Sequence, residues 1–188
     1  MIAMYVVIGI IGLVLAYLIG TYNGLVRLRQ HVRESWSDID TELKRRYNLI
    51  PNLVETVKGY AAHERETLQA VIEARSRAVA STGSPAEQAR DENTLVAALR
   101  QLFAVVEGYP QLKANENFLR LQEELVNTED RIQAARRFYN GNVRDLNTRV
   151  EVFPSNLVAA MFSIGKEEFF EIEETARAVP EVRFTDKT

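Results

Sequence analysis

The residues best suited to chemistry are few in this chain. It carries two histidines, His31 and His63, and no cysteine, which excludes disulfides, thiol catalysis, zinc ribbons and lipid attachment at an N-terminal cysteine. A di-metal centre between helices needs Glu-x-x-His motifs on facing helices. Tyr60 stands three residues before His63 and Leu28 three before His31, so neither histidine fits. His63-Glu64 begins like a zincin motif, but Thr67 occupies the place of the second histidine. Gly165-Lys166 ends like a phosphate loop, yet Ala160 replaces its first glycine and Glu167 its Ser/Thr. No Gly-x-Ser-x-Gly occurs. Carboxylates are plentiful but scattered, with bases three or four positions on, as in Glu42 with Arg45 and Arg46. Such pairs contribute about a few tenths of a kcal/mol each and require no function. The residues therefore predict no catalytic site, no metal and no cofactor. A net charge of -3 argues against a general nucleic-acid binder.

The elements that position these side chains divide sharply by composition. Residues 1–20 are apolar or glycine, so all 23 Lys+Arg and all 26 Asp+Glu fall in the rest of the 188 residues. The run from Ile2 to Ile19 is unbroken by charge, and at about 1.5 Å per residue it just spans a hydrocarbon core. Ile2, Val6, Ile10, Val14 and Leu18 mark the expected anchor. A cleaved signal peptide would have a basic segment first and a small-x-small site afterwards; nothing basic precedes Ile2, and Ala16-Tyr17-Leu18 is a poor site. A buried core helix would show a polar face. Arg27, Arg29 and Arg33 follow the apolar run, and basic flanks stay cytoplasmic, which predicts an outside N-terminus and a cytoplasmic body. Gly20 and Gly24 form a GxxxG at the exit, a spacing that permits close helix contact.

Beyond the anchor the chain reads as helices. Between residues 22 and 147 only Pro51, Pro85 and Pro110 occur, with Gly83 and Gly108 just ahead of two of them. Proline inside a helix start and glycine past an end are ordinary punctuation. Leu25, Val32, Trp36, Ile39, Leu43 and Tyr47 make one apolar stripe; a second helix is expected from Pro51 to about Ala80, a third to Glu107 and a fourth from Leu112 to Leu146. Because the residue before proline avoids helical angles and an interior proline costs about 3 kcal/mol, a turn at Tyr47–Pro51 is favoured over one kinked rod. The expected fold is all-α: a transmembrane helix at residues 1–21, an antiparallel up-down four-helix bundle at 22–150, and a short apolar helix with an acidic tail at 151–188. In that arrangement the shared hexapeptides beginning at Tyr22 and Tyr139 (Y-N-G-x-V-R) would lie together at the membrane end.

Two stretches are candidates for contact. The segment 152–162 is the most apolar after the anchor, with Ser155 or Asn156 a potential cap. Its alternatives are a fifth helix closing the bundle and an element lying on the bilayer or on another copy, with Phe153, Leu157, Met161 and Phe162 making the contact. Lys44-Arg45-Arg46 is the one dense basic run. It is either a solvated face or, at the membrane-distal end, a surface for a partner or for a neighbouring copy's acidic residues 166–174. The tail through Pro180 and Phe184 reads as partly extended.

The chain resembles the LemA family over nearly its whole length. The resemblance is carried by the anchor with Tyr22-Asn23 and Leu25-Val26, by residues 36–60 (WSDIDTELKRRYNLIPNLVETVKGY), and by His63-Glu64 and Ala74-Arg75-Ser76. Residues 135–140 (ARRFYN), Asn147-Thr148 and residues 153–157 (FPSNL) continue it. It implies a helical cytoplasmic domain on one anchor in the bacterial inner membrane and no established enzymatic activity. A magnetosome membrane protein in the family hints at membrane organisation, and genomic neighbourhood with a membrane metalloprotease hints at envelope quality control. The expected function is that of a non-enzymatic, homo-oligomeric scaffold organising or shaping membrane, with an adaptor for a membrane protease as the alternative.

Overall fold

The computed structural model describes residues 1–172, so the expectations for Pro180 and Phe184 lie outside the described residues. Six helices occur in the order α1 (Ile2–Lys58), α2 (Arg65–Ala80), α3 (Pro85–Val106), α4 (Pro110–Lys113), α5 (Glu116–Glu151) and α6 (Ser155–Met161), with no strand among the described residues. Only α1 contains a stretch long and apolar enough to cross a membrane among the described residues, and that stretch is not buried against the rest of the protein. Burial on α1 begins at Thr21 and Leu25, immediately after the uncharged run.

The turn expected at Tyr47–Pro51 does not exist: α1 runs through Pro51 to Lys58. Proline removes the N–H that would bond the carbonyl four residues earlier. That carbonyl belongs to Tyr47, and it accepts a hydrogen bond from Arg75 Nε of α2 at 2.8 Å instead. The same apolar stripe also continues across the proline, burying Ile50, Leu53, Val54 and Val57. A rescued acceptor and an unbroken stripe outweigh the local cost. The chain reverses at residues 59–64 instead, where Tyr60 and Ala61 both donate to the Val57 carbonyl and Ala61 is fully buried.

Contacts along the helices fix their directions. Asn142 Nδ2 donates to Ser35 Oγ at 3.1 Å, Arg46 pairs with Glu129, and Asn115 donates to the Tyr60 hydroxyl at 3.0 Å. Residue numbers on α5 therefore fall as those on α1 rise. The α2–α3 hairpin packs on the half of α1 farther from the apolar run, with Arg75 at Tyr47, Glu92 at Arg46, and the Tyr109 hydroxyl donating to Glu64 at 2.8 Å. Ser84 and Glu87 form a reciprocal capping box at the start of α3, with Pro85 in the first turn. The second helix starts at Arg65 rather than Pro51, and the fourth long helix starts at Glu116 behind an Asn115 cap. The two Y-N-G-x-V-R hexapeptides do not share a level: Tyr22 stacks on Phe162, whereas Tyr139 packs against Trp36.

The core along α1 and α5 is chiefly aliphatic, gathering Leu25, Val32, Ile39 and Leu43 with Ile132, Val143 and Leu146, and Tyr139 is buried in the same cluster. Replacing Arg75 by Ala should cost about 1–3 kcal/mol by stranding the Tyr47 carbonyl. The loss should shrink in a Pro51→Ala background, where residue 51 regains its N–H. A double-mutant unfolding cycle tests this; strict additivity would break the account.

Candidate functional site

The apolar candidate forms where α1 leaves its uncharged stretch. α6 buries Ser155, Val158 and Ala159 against α1 and α5 and turns Leu157 and Met161 outward, 59% and 65% exposed, while Phe153 just before it is 74% exposed. Leu157 and Met161 are spaced by four on α6 and share one helical stripe, and Phe153, in the turn just before the helix, is bare as well. Phe162 continues the stripe and stacks on Tyr22 with ring centroids 4.4 Å apart, which sets the stripe one turn from the end of the apolar run. One face of the segment closes on the other helices and the other face is bare. Ser155 and Asn156 do not cap α6: the Ser155 hydroxyl donates to the Arg149 and Val152 carbonyls at 2.7 and 2.8 Å, and the Asn156 side-chain Oδ1 is buried without a partner. Ser163, at φ 52°, ends α6 in the left-handed region while Ile164 N–H reaches the Ala159 carbonyl at 2.9 Å. Gly20 is exposed and Gly24 half-buried, and a Cβ added to either would meet nothing within 4 Å.

The basic candidate is divided by the structure. Lys44 is exposed beside Asp40, and Arg45 half-exposed beside Glu42. Arg46 is 1% exposed and cannot meet a partner. Its guanidinium bridges Glu92 of α3 and Glu129 of α5, the latter at 2.8 Å, and the Tyr47 hydroxyl donates to the other Glu92 oxygen. Burial pushes the Glu92 carboxyl above the usual carboxylate range, opposed by the Arg46 charge beside it. The Tyr47 phenol is raised by burial and then by the Glu92 charge. The triplet also lies part-way along α1 rather than at its far end, since α1 continues to Lys58. The cluster had a signal in the sequence: Arg46 falls in register with Ile39, Leu43, Ile50 and Leu53, and Glu92 with Ala89, Leu95 and Leu99. Opposite charges at core positions of two helices point to a pair.

After α6 the chain crosses back over α5 as an extended strap. Asn147 exchanges two hydrogen bonds with the Glu167 backbone, both 2.9 Å, and Asn140 does the same with Phe170 at 3.1 and 2.9 Å. Arg136 donates to the Ile172 carbonyl and the Tyr139 hydroxyl to the Glu168 carbonyl at 2.8 Å. Phe170 is fully buried edge-on against Trp36, 5.2 Å between centroids. Residues 166–172 are thus committed to their own helices. Burial, then the Glu167 and Glu168 charges, push the Tyr139 phenol up to about 12. Among the described residues no group of three or more His, Asp or Glu side chains could hold a metal ion.

A model of the LemA family matches residues 35–184. The chain belongs to the LemA family. It is similar to Protein LemA of Metamycoplasma hominis, 28% identical over 170 residues, covering 89% of this chain and 76% of that one. It is also similar to Magnetosome protein MamQ 2 of Paramagnetospirillum magneticum, 26% identical over 182 residues, covering 84% and 67%. Magnetosome protein MamQ of Magnetospirillum gryphiswaldense is 24% identical over 174 residues, covering 79% and 64%. LemA membership and the membrane-length apolar helix together describe a membrane-associated, all-helical protein.

Arg46→Ala should destabilise the protein by about 3–5 kcal/mol, since Glu92 is left buried and uncompensated. Arg45→Ala, one residue away, should cost under about 1 kcal/mol; equal losses in denaturant unfolding would count against the division. A separate expectation concerns alkaline pH. Tyr139 titrates higher folded than unfolded, so its contribution is complete below about pH 10 and declines as pH rises through about 12. Tyr139→Phe should remove that part of the alkaline loss.

Proposed function

We propose that this LemA protein is a non-enzymatic single-pass membrane protein that acts as a self-associating scaffold, organising or shaping the bacterial inner membrane. Its N-terminus lies outside, and its helices 22–151 form a cytoplasmic antiparallel bundle standing on the anchor. The observation that carries the reading is the bare apolar patch of Phe153, Leu157, Met161 and Phe162, the last stacked on Tyr22 just past the end of the apolar run. An isolated exposed leucine is unremarkable, but a contiguous apolar patch rimmed by charge marks a contact surface. Arg27, Arg29, Arg144 and Arg149 are exposed near this end, and each base near an anionic surface contributes about 1 kcal/mol. The patch is thus suited to lie in the headgroup region while the anchor spans. Open flanks at Gly20 and Gly24 leave room for a second copy's helix to approach. The magnetosome names of two relatives agree with a role in membrane organisation.

The test has two parts. Full-length protein extracted in a native-lipid polymer should run as a large, uniform assembly of this chain alone. A single copy that carries a membrane protease would move the reading to the adaptor. Phe153→Asp with Phe162→Asp, in a chain lacking residues 1–21, should abolish flotation with anionic vesicles while circular dichroism stays unchanged. Loss of helicity instead would assign both residues to the core.

A further inference from the structure

Between α3 and α5, beside the buried Arg46 cluster, lies an open and chiefly apolar cavity of about 260 Å³. Val96, Leu99 and Phe103 of α3 form one wall, and Leu125 and Val126 of α5 form the other. Arg46, 1% exposed and paired with Glu129 at 2.8 Å, lines its floor. At the end away from the cluster, Phe103 packs edge-on against Phe118 with centroids 6.3 Å apart. Arg100 and Gln122 complete the lining from opposite walls, and both are exposed. Neither has a hydrogen-bond or ion-pair partner among the described residues. Arg100 stands about two turns beyond Glu92, and Gln122 about two turns before Glu129. Both therefore reach the rim at the same level.

Apolar walls with a few convergent polar groups are the usual make-up of a small-molecule site. The volume falls below the range of about 300–1,000 Å³ that holds a drug-sized ligand, so one short chain fits and a two-chain lipid does not. The charges set its direction. The floor already gathers Glu92 and Glu129 around one guanidinium, and a third carboxylate there would be repelled. At the rim the Arg100 charge is unmatched, so an anionic head is favoured outside and an apolar tail inside. A guanidinium accommodates both oxygens of a carboxylate, and the Gln122 amide offers a further donor from the facing helix. Arg46 stands about 36 Å along α1 from Tyr22. The acyl chains of a bilayer around the apolar run do not reach that far, so the ligand arrives as a free molecule from solution.

We propose that the α3–α5 cavity binds a short single-chain carboxylate of the medium-chain fatty acid class, its tail between Val96, Leu99 and Val126 and its head on Arg100 and Gln122. The site is separate from the apolar patch on α6 and does not depend on the scaffold reading. Occupancy covers Val126, which is 55% exposed, and shields the outer side of the Arg46–Glu129 pair from water.

The chain has no native cysteine, so one introduced thiol reports on the cavity. In full-length protein held in lipid discs, octanoate should slow maleimide labelling of Val126→Cys several-fold and saturably, and leave Ile72→Cys on exposed α2 unchanged. Octanol, with the same chain and no charge, should protect far less. Arg100→Gln in the Val126→Cys background should lower octanoate to the level of octanol, with circular dichroism unchanged. Filling the trough with Val96→Trp should abolish the protection. No protection by octanoate, or equal slowing at Ile72→Cys, would overturn the site. Equal protection by octanol, or none lost in Arg100→Gln, would overturn the anionic class and the role of Arg100. Protection that survives Val96→Trp would place octanoate outside the cavity. Protection by added phosphatidylglycerol vesicles alone would overturn the free acid in favour of membrane lipid.

Discussion

A single guanidinium is the constraint around which the helices are arranged. Arg46 leaves α1 at a core position and meets Glu92 from α3 and Glu129 from α5. Charges this deep are stable only when paired, and removing one partner strands the others. Aliphatic stripes alone would tolerate α3 sliding by a turn along α1. A buried ion pair does not, because a shift of one turn leaves each charge facing leucine. The Tyr47 hydroxyl on the second Glu92 oxygen adds a further directional bond to the same register. The cluster thus ties α1, α3 and α5 together at a single register.

What was legible in the sequence follows from which forces act locally. Helix identity, the apolar first stretch and the apolar registers of α1 and α5 all depend on neighbours within a turn or two. The break at Pro51 was misplaced because the deciding partner is Arg75, twenty-four positions further on. Its side chain supplies the donor that proline lacks, and no local propensity contains that information. Arg46 was misassigned for the converse reason. Counted with Lys44 and Arg45 it looks like a surface run, whereas its phase with Ile39, Leu43 and Ile50 already placed it inside. Charge density along the chain and phase around the helix disagreed, and phase was the physical signal.

The strap shows a third kind of limit. Asn140 and Asn147 are two helical turns apart, and each amide matches both backbone groups of one extended residue. Together they act as rungs for a chain that has no strand partner, satisfying backbone groups that would otherwise be buried unpaired. Nothing in the local pattern of residues 163–172 announces this, since the complementary atoms belong to α5. The apolar stripe on α6 is the reverse case. Its residues were legible, while its two-faced character depends on Val158 and Ala159 being covered by other helices.

Continuity of α1 from Ile2 through Pro51 to Lys58 gives the molecule a mechanical property. About 54 Å of helix rises from Tyr22 to Lys58, with no loop between the apolar run and the core to absorb rotation. Membrane-spanning helices incline by about 20° on average, and that inclination would swing the far end sideways by about 18 Å. With the apolar run held in a bilayer, its inclination would set the lateral position of the α2–α3 hairpin, the first helix acting as a lever.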